Sequence, residues 1–592
     1  MSRFLLGFFT GVGVIAFFLI LMLTISYFYF FGSEKTLPKK MILNFEFHGP
    51  IVENSNDNPF EYLGLGYVLS IRTVLESLDR AASDDRIEGI IFRTLDPELT
   101  IAQAEEIRNA VARFRQSGKF AYFYTDSFGD GGWATTPYYL ASAFEQIWMQ
   151  PSGALGLTGI GEELPFCKKI MDLIGVKAQF GQRKEFKSAP NMYLHESIPP
   201  AQLEMEKSLF DENYTIILNA ISKDRNIDIE KLKTLIDEAP LNAPKALDEQ
   251  FVHKLGYWDE FKVMVKQKNA DVEWIKFADY VKSLKSPTDS KQKIAMIYGV
   301  GEIHRGRTPP FGLMPGGSVG GETVAKAIRQ AVKDDEVIAI ILRMDSPGGS
   351  YPASDMVWRE VIRAKESKKP VIVSIASVAA SGGYFMAMAA DRIIANETSL
   401  TGSIGVFSGK LQFEELWNTL GVSWDVIKKG ENADMWSQNK SFTDASLKKL
   451  NESLDFVYKD FTQKVGESRN IPAAKLDDVC KGRVWTGTQA LQNGLIDQIG
   501  GYWDALRAAK KAAGIPVDKI LKVEIYPRAK SLAERVVQYI EDIEDMTQTS
   551  KGLTSITKAG ISYFSPLLEA IDRKNQKSTP SLYYEKNKPI GH

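Results

Sequence analysis

Apolar and polar positions divide this chain into one long apolar run, two stretches where short apolar segments alternate with amphipathic ones, and a polar tail. The run Phe4 to Phe31 holds 28 residues without a charged side chain. As a helix it is long enough to cross a hydrocarbon core of roughly 30 Å with some tilt. The pattern predicts a membrane anchor. A cleaved signal peptide fits less well, because the apolar region is long and Phe28, Tyr29, Phe30 and Phe31 crowd its end, where small residues would precede a cleavage site. Arg3 flanks one side and Lys35, Lys39 and Lys40 the other, so the basic residues do not set an orientation.

Beyond Lys40 the apolar segments are short. In the second half IAMIYGV, VIAIILRM and PVIVSIAS have strand length, and a helical pattern from Ala353 to Ser367 separates the last two. Runs that are apolar on both faces and alternate with helices predict an α/β fold with buried parallel strands. The first half repeats this order. Tyr384 to Ala395 (YFMAMAADRIIA) matches Tyr138 to Met149 (YYLASAFEQIWM) at a spacing of 246 residues, which also pairs Gly421-Val422 with Gly175-Val176. Upstream, Arg343 matches Arg93 with four extra residues in the first copy, and downstream Tyr502-Trp503-Asp504 matches Tyr257-Trp258-Asp259. Such self-similarity predicts a tandem duplication. The resulting division is an anchor and its flank over residues 1–39, a first repeat over 40–281, a polar connector over 282–293, a second repeat over 294–530, and a tail over 531–592. Within the tail, Leu532 to Met546 reads as an amphipathic helix and Asn575 to His592 as a loose polar segment.

Composition narrows the function classes. At 592 residues the chain exceeds one core, and 72 basic against 74 acidic residues give no electrostatic reason to expect nucleic acid. Cys167 and Cys480 occupy non-equivalent positions of the repeats, which is neither a disulfide framework nor metal-ligand spacing. No metal or other cofactor is expected.

The candidate chemistry lies after PVIVSIAS, where VAASGGYFMAMAA places Ser381 at a strand-to-helix turn with Gly382 and Gly383 behind it. Free N–H groups at a helix start favour a developing oxyanion, and glycines let a substrate backbone approach. Small residues before a buried helix are also common packing devices. A second element, DSPGGS from Asp345 to Ser350, ends the preceding strand and could turn Gly348 and Gly349 toward the same place; its plainer reading is a type II turn at Pro347-Gly348. A nucleophilic serine needs a base. None of His48, His195, His253, His304 and His592 falls at equivalent positions of the repeats or beside the Ser-Gly-Gly turn. A lysine made neutral by burial can serve instead, and Lys187 in EFKSAPNMY is one candidate, with Lys184 a helical turn away.

SVAASGGYFMAMAAD, RMDSPGGS, LTGSIGVF and EFKSAP together resemble the membrane-anchored members of the S49 serine peptidase family, and the resemblance covers nearly the whole chain. It implies tandem domains related to Clp protease and crotonase behind an N-terminal transmembrane helix. It also implies a Ser-Lys dyad with Ser381 as nucleophile, Lys187 as general base, Ser403 orienting the lysine, and Gly348 or Gly349 sharing an oxyanion hole with Ser381 or Gly382. The implied substrates are hydrophobic peptides, chiefly cleaved signal peptides left in the bilayer. The implied assembly is a homotetramer on the periplasmic side of the bacterial inner membrane.

The duplication bears on these assignments. At the 246-residue spacing Ser381 falls opposite Thr135, Gly382 opposite Thr136, Gly383 opposite Pro137 and Ser403 opposite Leu157, while Lys187 falls opposite Ala433. The counterpart of DSPGG is LDPEL, from Leu95 to Leu99, without either glycine. Each repeat has thus lost one side of the site. A crotonase-like thioester enzyme and a non-catalytic membrane scaffold are the alternatives; the first would turn over acyl-CoA, and the second has no need for the Ser-Lys-Ser set.

Overall fold

Two parallel sheets are built in the same order from the two halves of the chain. The computed structural model describes residues 37–54, 69–130, 132–268, 271–284, 290–308 and 317–528. The anchor expected over Phe4 to Phe31 and the helix expected over Leu532 to Met546 lie outside the described residues. Among those described, no helix is long and apolar enough to cross a membrane.

The first sheet runs Lys254–Leu255, Gln146–Met149, Phe120–Thr125, Ile87–Glu98, Met41–Pro50, Glu273–Lys276. The second runs Gln498–Ile499, Arg392–Ala395, Val371–Ala380, Val337–Ser346, Lys293–Val300, Lys522–Tyr526. Every neighbour along both paths is parallel. The second sheet adds a branch: Leu400–Gly402 pairs with the end of Val371–Ala380, and Val484–Thr486 pairs antiparallel with Leu400–Gly402. Helices cover both faces, so Ile340, Ile341 and Leu342 in succession are fully buried. This is why the strands read as unbroken apolar runs.

One hydrophobic core spans the repeats. Leu75 and Ile107 of the first repeat cluster with Ile341, Ile372 and Leu506 of the second. Helix Ile101–Arg115, started by a capping box between Thr100 and Gln103, lies at this boundary. Polar groups are buried there as well: Arg343, 2% exposed, donates to Glu53 (2.9 Å), Glu106 (2.7 Å) and Ser374 (2.8 Å). Both of its carboxylate partners come from the first repeat. Removing either side of such a buried pair costs about 3–5 kcal/mol, because the other charge is left without compensation.

A strand exchange joins the halves. Lys177–Arg183 pairs antiparallel with Val406–Gln412, from Arg183 opposite Val406 to Lys177 opposite Gln412. A 246-residue shift carries these strands onto 423–429 and 160–166, and neither of those segments is a strand. Farther on, helices Pro200–Arg225 and Asp444–Arg469 each contain 26 residues and end at left-handed Asn226 and Asn470. Those asparagines are 244 positions apart, so the spacing slips by two residues and the counterpart of Lys187 lies within Glu431 to Ala433, still without a lysine. The helix expected from Ala353 to Ser367 begins earlier, at Tyr351, with Pro352 in its first turn.

Candidate active site

Three chain segments of the second repeat and one of the first converge at the C-terminal ends of the second sheet's central strands. Strand Val371–Ala380 delivers Ser381, strand Val337–Ser346 delivers Pro347 to Gly349, and Leu400–Gly402 delivers Ser403. The exchanged strand Lys177–Arg183 leads into a turn in which Lys187 N–H donates to the Lys184 carbonyl and Phe186 N–H to the Lys481 carbonyl. Lys187 thereby enters from the other repeat.

The Lys187 amine lies 2.9 Å from Ser381 Oγ, 2.9 Å from Ser403 Oγ and 2.9 Å from the Ser403 carbonyl oxygen. Lys187 is buried, whereas Ser381 is partly exposed. Burial alone draws the lysine pKa down to about 7, since no carboxylate stands close enough to restore the charge. Lys184, the alternative base, points away: its exposed amine reaches Asp477 at 3.4 Å. Two of the histidines are engaged elsewhere. His253 accepts from Ile147 N–H, and His304 bonds to the Arg305 carbonyl.

Ser381 has φ 54° with ψ −119°, and Ser403 has φ 50°, positive-φ backbone that is unusual for residues with a side chain. The Ser381 N–H donates to the Gly402 carbonyl, which fastens the backbone of Ser381 to the strand that leads into Ser403. It is therefore not free to bind an oxyanion. Gly348 N–H is occupied too, donating to Ser346 Oγ at 3.2 Å. Among the described residues, no acceptor lies on the N–H of Gly349 or of Gly382. The two loops touch there: a Cβ placed on Gly382 would stand 3.1 Å from Gly349 N. Of the glycines singled out in the sequence, Gly349 and Gly382 thus keep available donors and Gly348 does not.

The reading of Gly383 also changes. A Cβ there would meet the Ser346 carbonyl at 2.7 Å, so this glycine lets the short helix Gly382–Ala387 pack on the DSPGG loop and does not face a substrate. Gly348 and Gly349, with φ 109° and 146°, adopt backbone that other residues avoid. Their loop is braced by Ile303, whose N–H donates to the Gly348 carbonyl and whose carbonyl accepts from Ser350 N–H, both at 2.8 Å. Neither Ile303 nor Ser346 stands out in the sequence, although Ser346 sits inside DSPGG. Asp345 accepts from Val378 N–H at 3.1 Å and so ties the same loop to the strand of Ser381.

In the first repeat the equivalent place is occupied differently. The Thr135 hydroxyl donates to the Gly159 carbonyl, Leu157 is buried, and among the described residues no lysine amine is hydrogen-bonded to Thr135.

A family model described as peptidase family S49 matches residues 115–273 and 363–516, one segment in each repeat. "Serine protease SPPA, chloroplastic" of Arabidopsis thaliana is 31% identical over 496 residues, covering 82% of this chain and 72% of that protein. "Protease 4" of Salmonella typhi is 31% identical over 461 residues, covering 75% of this chain and 72% of its own. Among solved structures, a ClpP1 mutant from Listeria monocytogenes overlays with a TM-score of 0.23 at 14% identity, over 36% of this chain and 94% of that one, a score too low to bear on the reading.

Proposed function

The chain belongs to peptidase family S49 and is a serine peptidase, and from that premise we propose that Ser381 and Lys187 form its catalytic dyad, assembled from the two repeats. The supporting observation is the buried amine of Lys187, 2.9 Å from Ser381 Oγ with Ser403 as its other partner. A neutral amine has two N–H groups and one lone pair. The N–H groups donate to the Ser403 hydroxyl and carbonyl, which leaves the lone pair aimed at the Ser381 hydroxyl. As Ser381 Oγ attacks a peptide carbonyl, Lys187 takes its proton, and the N–H groups of Gly349 and Gly382 receive the oxyanion. The resulting ammonium then gives a proton to the leaving amine, the acyl-enzyme forms, and water releases it by the same route in reverse.

The substrates in this proposal are hydrophobic peptides, chiefly signal peptides remaining in the membrane after cleavage. The apolar run Phe4 to Phe31 would anchor the chain to the bacterial inner membrane with the repeats on the periplasmic side, confining enzyme and substrate to one surface. Assembly as a homotetramer completes the proposal.

The test is hydrolysis of an apolar fluorogenic peptide by the full chain in detergent, compared with folded Ser381→Ala and Lys187→Ala. Both variants are expected to lose activity. Full activity in folded Lys187→Ala would remove the lysine as base, and turnover of acyl-CoA by the wild type would point to thioester chemistry.

A further inference from the structure

A dyad divided between repeats has a requirement that a site within one repeat lacks: the two bodies must be held in register. Adjacent glutamates on the first-repeat helix Ile101–Arg115 meet this requirement next to the site. Glu105 is 7% exposed. One of its carboxylate oxygens accepts from Glu397 N–H at 3.0 Å, and the other accepts from Thr398 N–H at 3.2 Å and the Thr398 hydroxyl at 2.7 Å. Glu106 accepts from Arg343, from Asn396 Nδ2 at 3.0 Å and from Tyr502 N–H at 3.1 Å.

The corner they hold lies on the path to the site. Residues 396–399 join strand Arg392–Ala395 to strand Leu400–Gly402, both of which pair with Val371–Ala380, and Ser403 follows directly. The segment is also fastened within its own repeat, by the Ser399 hydroxyl on the Ala376 carbonyl (2.5 Å) and the Thr401 hydroxyl on the Ala379 carbonyl (2.7 Å). Those bonds fix it to the strand of Ser381 and are indifferent to where the first repeat stands. The bonds of Glu105 are not, because Glu105 and Lys187 belong to the same repeat.

We propose that Glu105 is a positioning residue of the peptidase: by gripping the Glu397–Thr398 corner from the first repeat it keeps Ser403 in register with Lys187. The inference rests on the Ser381–Lys187 reading. The corresponding helix of the second repeat, Tyr351–Glu366, carries Asp355 at the equivalent place, and Asp355 pairs with Lys464 instead. The grip is therefore peculiar to the boundary that contains the dyad. The charged and titratable groups around Glu105 are Glu106 and Arg108 on its own helix, Tyr139 on helix Thr135–Ser142, and Glu397 on the corner. Burial, with Glu397 adding to it, raises the Glu105 carboxyl to about 7, so protonation weakens the grip in the same range where Lys187 gains its proton.

The experiment measures kcat and KM on the apolar peptide, with the full chain in detergent, between about pH 6 and 9. The proteins are wild type, Glu105→Gln, Thr398→Val, Ser403→Ala and Glu105→Gln/Ser403→Ala. Whichever way a glutamine amide lies, its NH2 faces one of the two backbone N–H groups that the carboxylate oxygens accept from, so kcat of Glu105→Gln is expected to fall about tenfold or more with KM little changed. Its acid limb should carry one proton where that of the wild type approaches two. Because Glu105 acts through Ser403, the double variant should lose little beyond Ser403→Ala alone. Losses that multiply, or an unchanged kcat in folded Glu105→Gln, would overturn the proposal. Should Glu105→Gln fail to fold, Thr398→Val decides, with a few-fold fall that again disappears in the Ser403→Ala background; multiplying losses there would overturn it equally. Wild type without Ser381-dependent hydrolysis would instead sink the dyad reading beneath it.

Discussion

Gly482 offers a way to move the base without touching it. It has φ 83°, and a Cβ built on it would stand 2.6 Å from the backbone nitrogen of Lys187, 2.8 Å from its Cα and 2.7 Å from its Cβ. All three approaches are well inside van der Waals contact, and two involve backbone that cannot rotate aside. Gly482→Ala therefore carries two penalties. The left-handed torsion costs an alanine about 1 kcal/mol. The clash then forces the turn at Lys187 outward, and its amine has little slack at 2.9 Å from Ser381 Oγ. Misplacement by about 1 Å lowers turnover by about a hundredfold. Gly421→Ala is the matched control, because φ there is 74° and nothing lies within 4 Å of the added carbon. Thermal or urea unfolding should show about 1 kcal/mol lost in the control and more in Gly482→Ala. The kcat of the control should equal that of wild type, while Gly482→Ala drops about ten- to a hundredfold in folded protein. Equal kcat for the two variants would refute the claim that close approach of the Gly482 turn sets the position of Lys187.

Two further outcomes follow from the burial of Lys187. In the proposed mechanism the neutral amine is the working form, so kcat/KM should rise as pH climbs through about 7; a limb centred near about pH 4 would indicate a carboxylate base, and one near about pH 10 an ordinary solvated lysine. Stability carries the opposite mark of the same residue. The unfolded chain keeps the lysine protonated up to its usual value of 10.5, whereas the folded chain does so only to about 7. Between those limits the unfolded state holds the extra proton, so stability gains from this residue as pH rises. The penalty is full at and below about pH 7, with an upper bound of about 5 kcal/mol. Lys187→Met should accordingly be inactive yet unfold at a higher denaturant concentration at about pH 7, with the advantage fading toward about pH 10. A variant no more stable than wild type at neutral pH would show that the lysine is solvated and charged.

The parts legible in the sequence are those governed by local pattern. VIAIILRM and PVIVSIAS announce buried parallel strands because both of their faces are apolar, and the 246-residue match shows the two repeats without reference to any other protein. Ser381 stands out through the small residues around it. Lys187 does not: its depressed pKa comes from burial, which the string EFKSAPNMY does not display, and its assignment came through family resemblance. The strand that carries it into the site, KAQFGQR, mixes polar and apolar residues and pairs with VFSGKLQ more than two hundred residues away. No periodicity within either segment reveals that partner. The resemblance left the oxyanion donors open among the N–H groups of Gly348, Gly349, Ser381 and Gly382, and the choice of Gly349 and Gly382 depends on which of those N–H groups are already taken, a matter of torsion angles. Glu105 and Gly482 were silent for the same reason, since each acts on a residue distant in the chain.

The unequal repeats follow from the energetics of that lysine. A buried amine without a counter-charge lowers the stability of whatever domain contains it, and the benefit comes only where a nucleophile stands within reach. After duplication, a second complete site would impose the penalty again. The described residues show the relaxed alternative in the first repeat, where Thr135 is tied to the Gly159 carbonyl and apolar Leu157 fills the place of Ser403. The second repeat shows the complement: Glu431, Asn432 and Ala433 stand where a base would be, and the equivalent strand does not form. One boundary holds the proposed dyad, and it is also where charges are buried in number, with Arg343, Glu53, Glu105 and Glu106 all under a tenth exposed. Those groups contribute little net stability, because desolvation offsets most of their attraction. What they supply is a single allowed alignment of two bodies, and a base on one repeat serving a nucleophile on the other requires that alignment to within a fraction of an ångström.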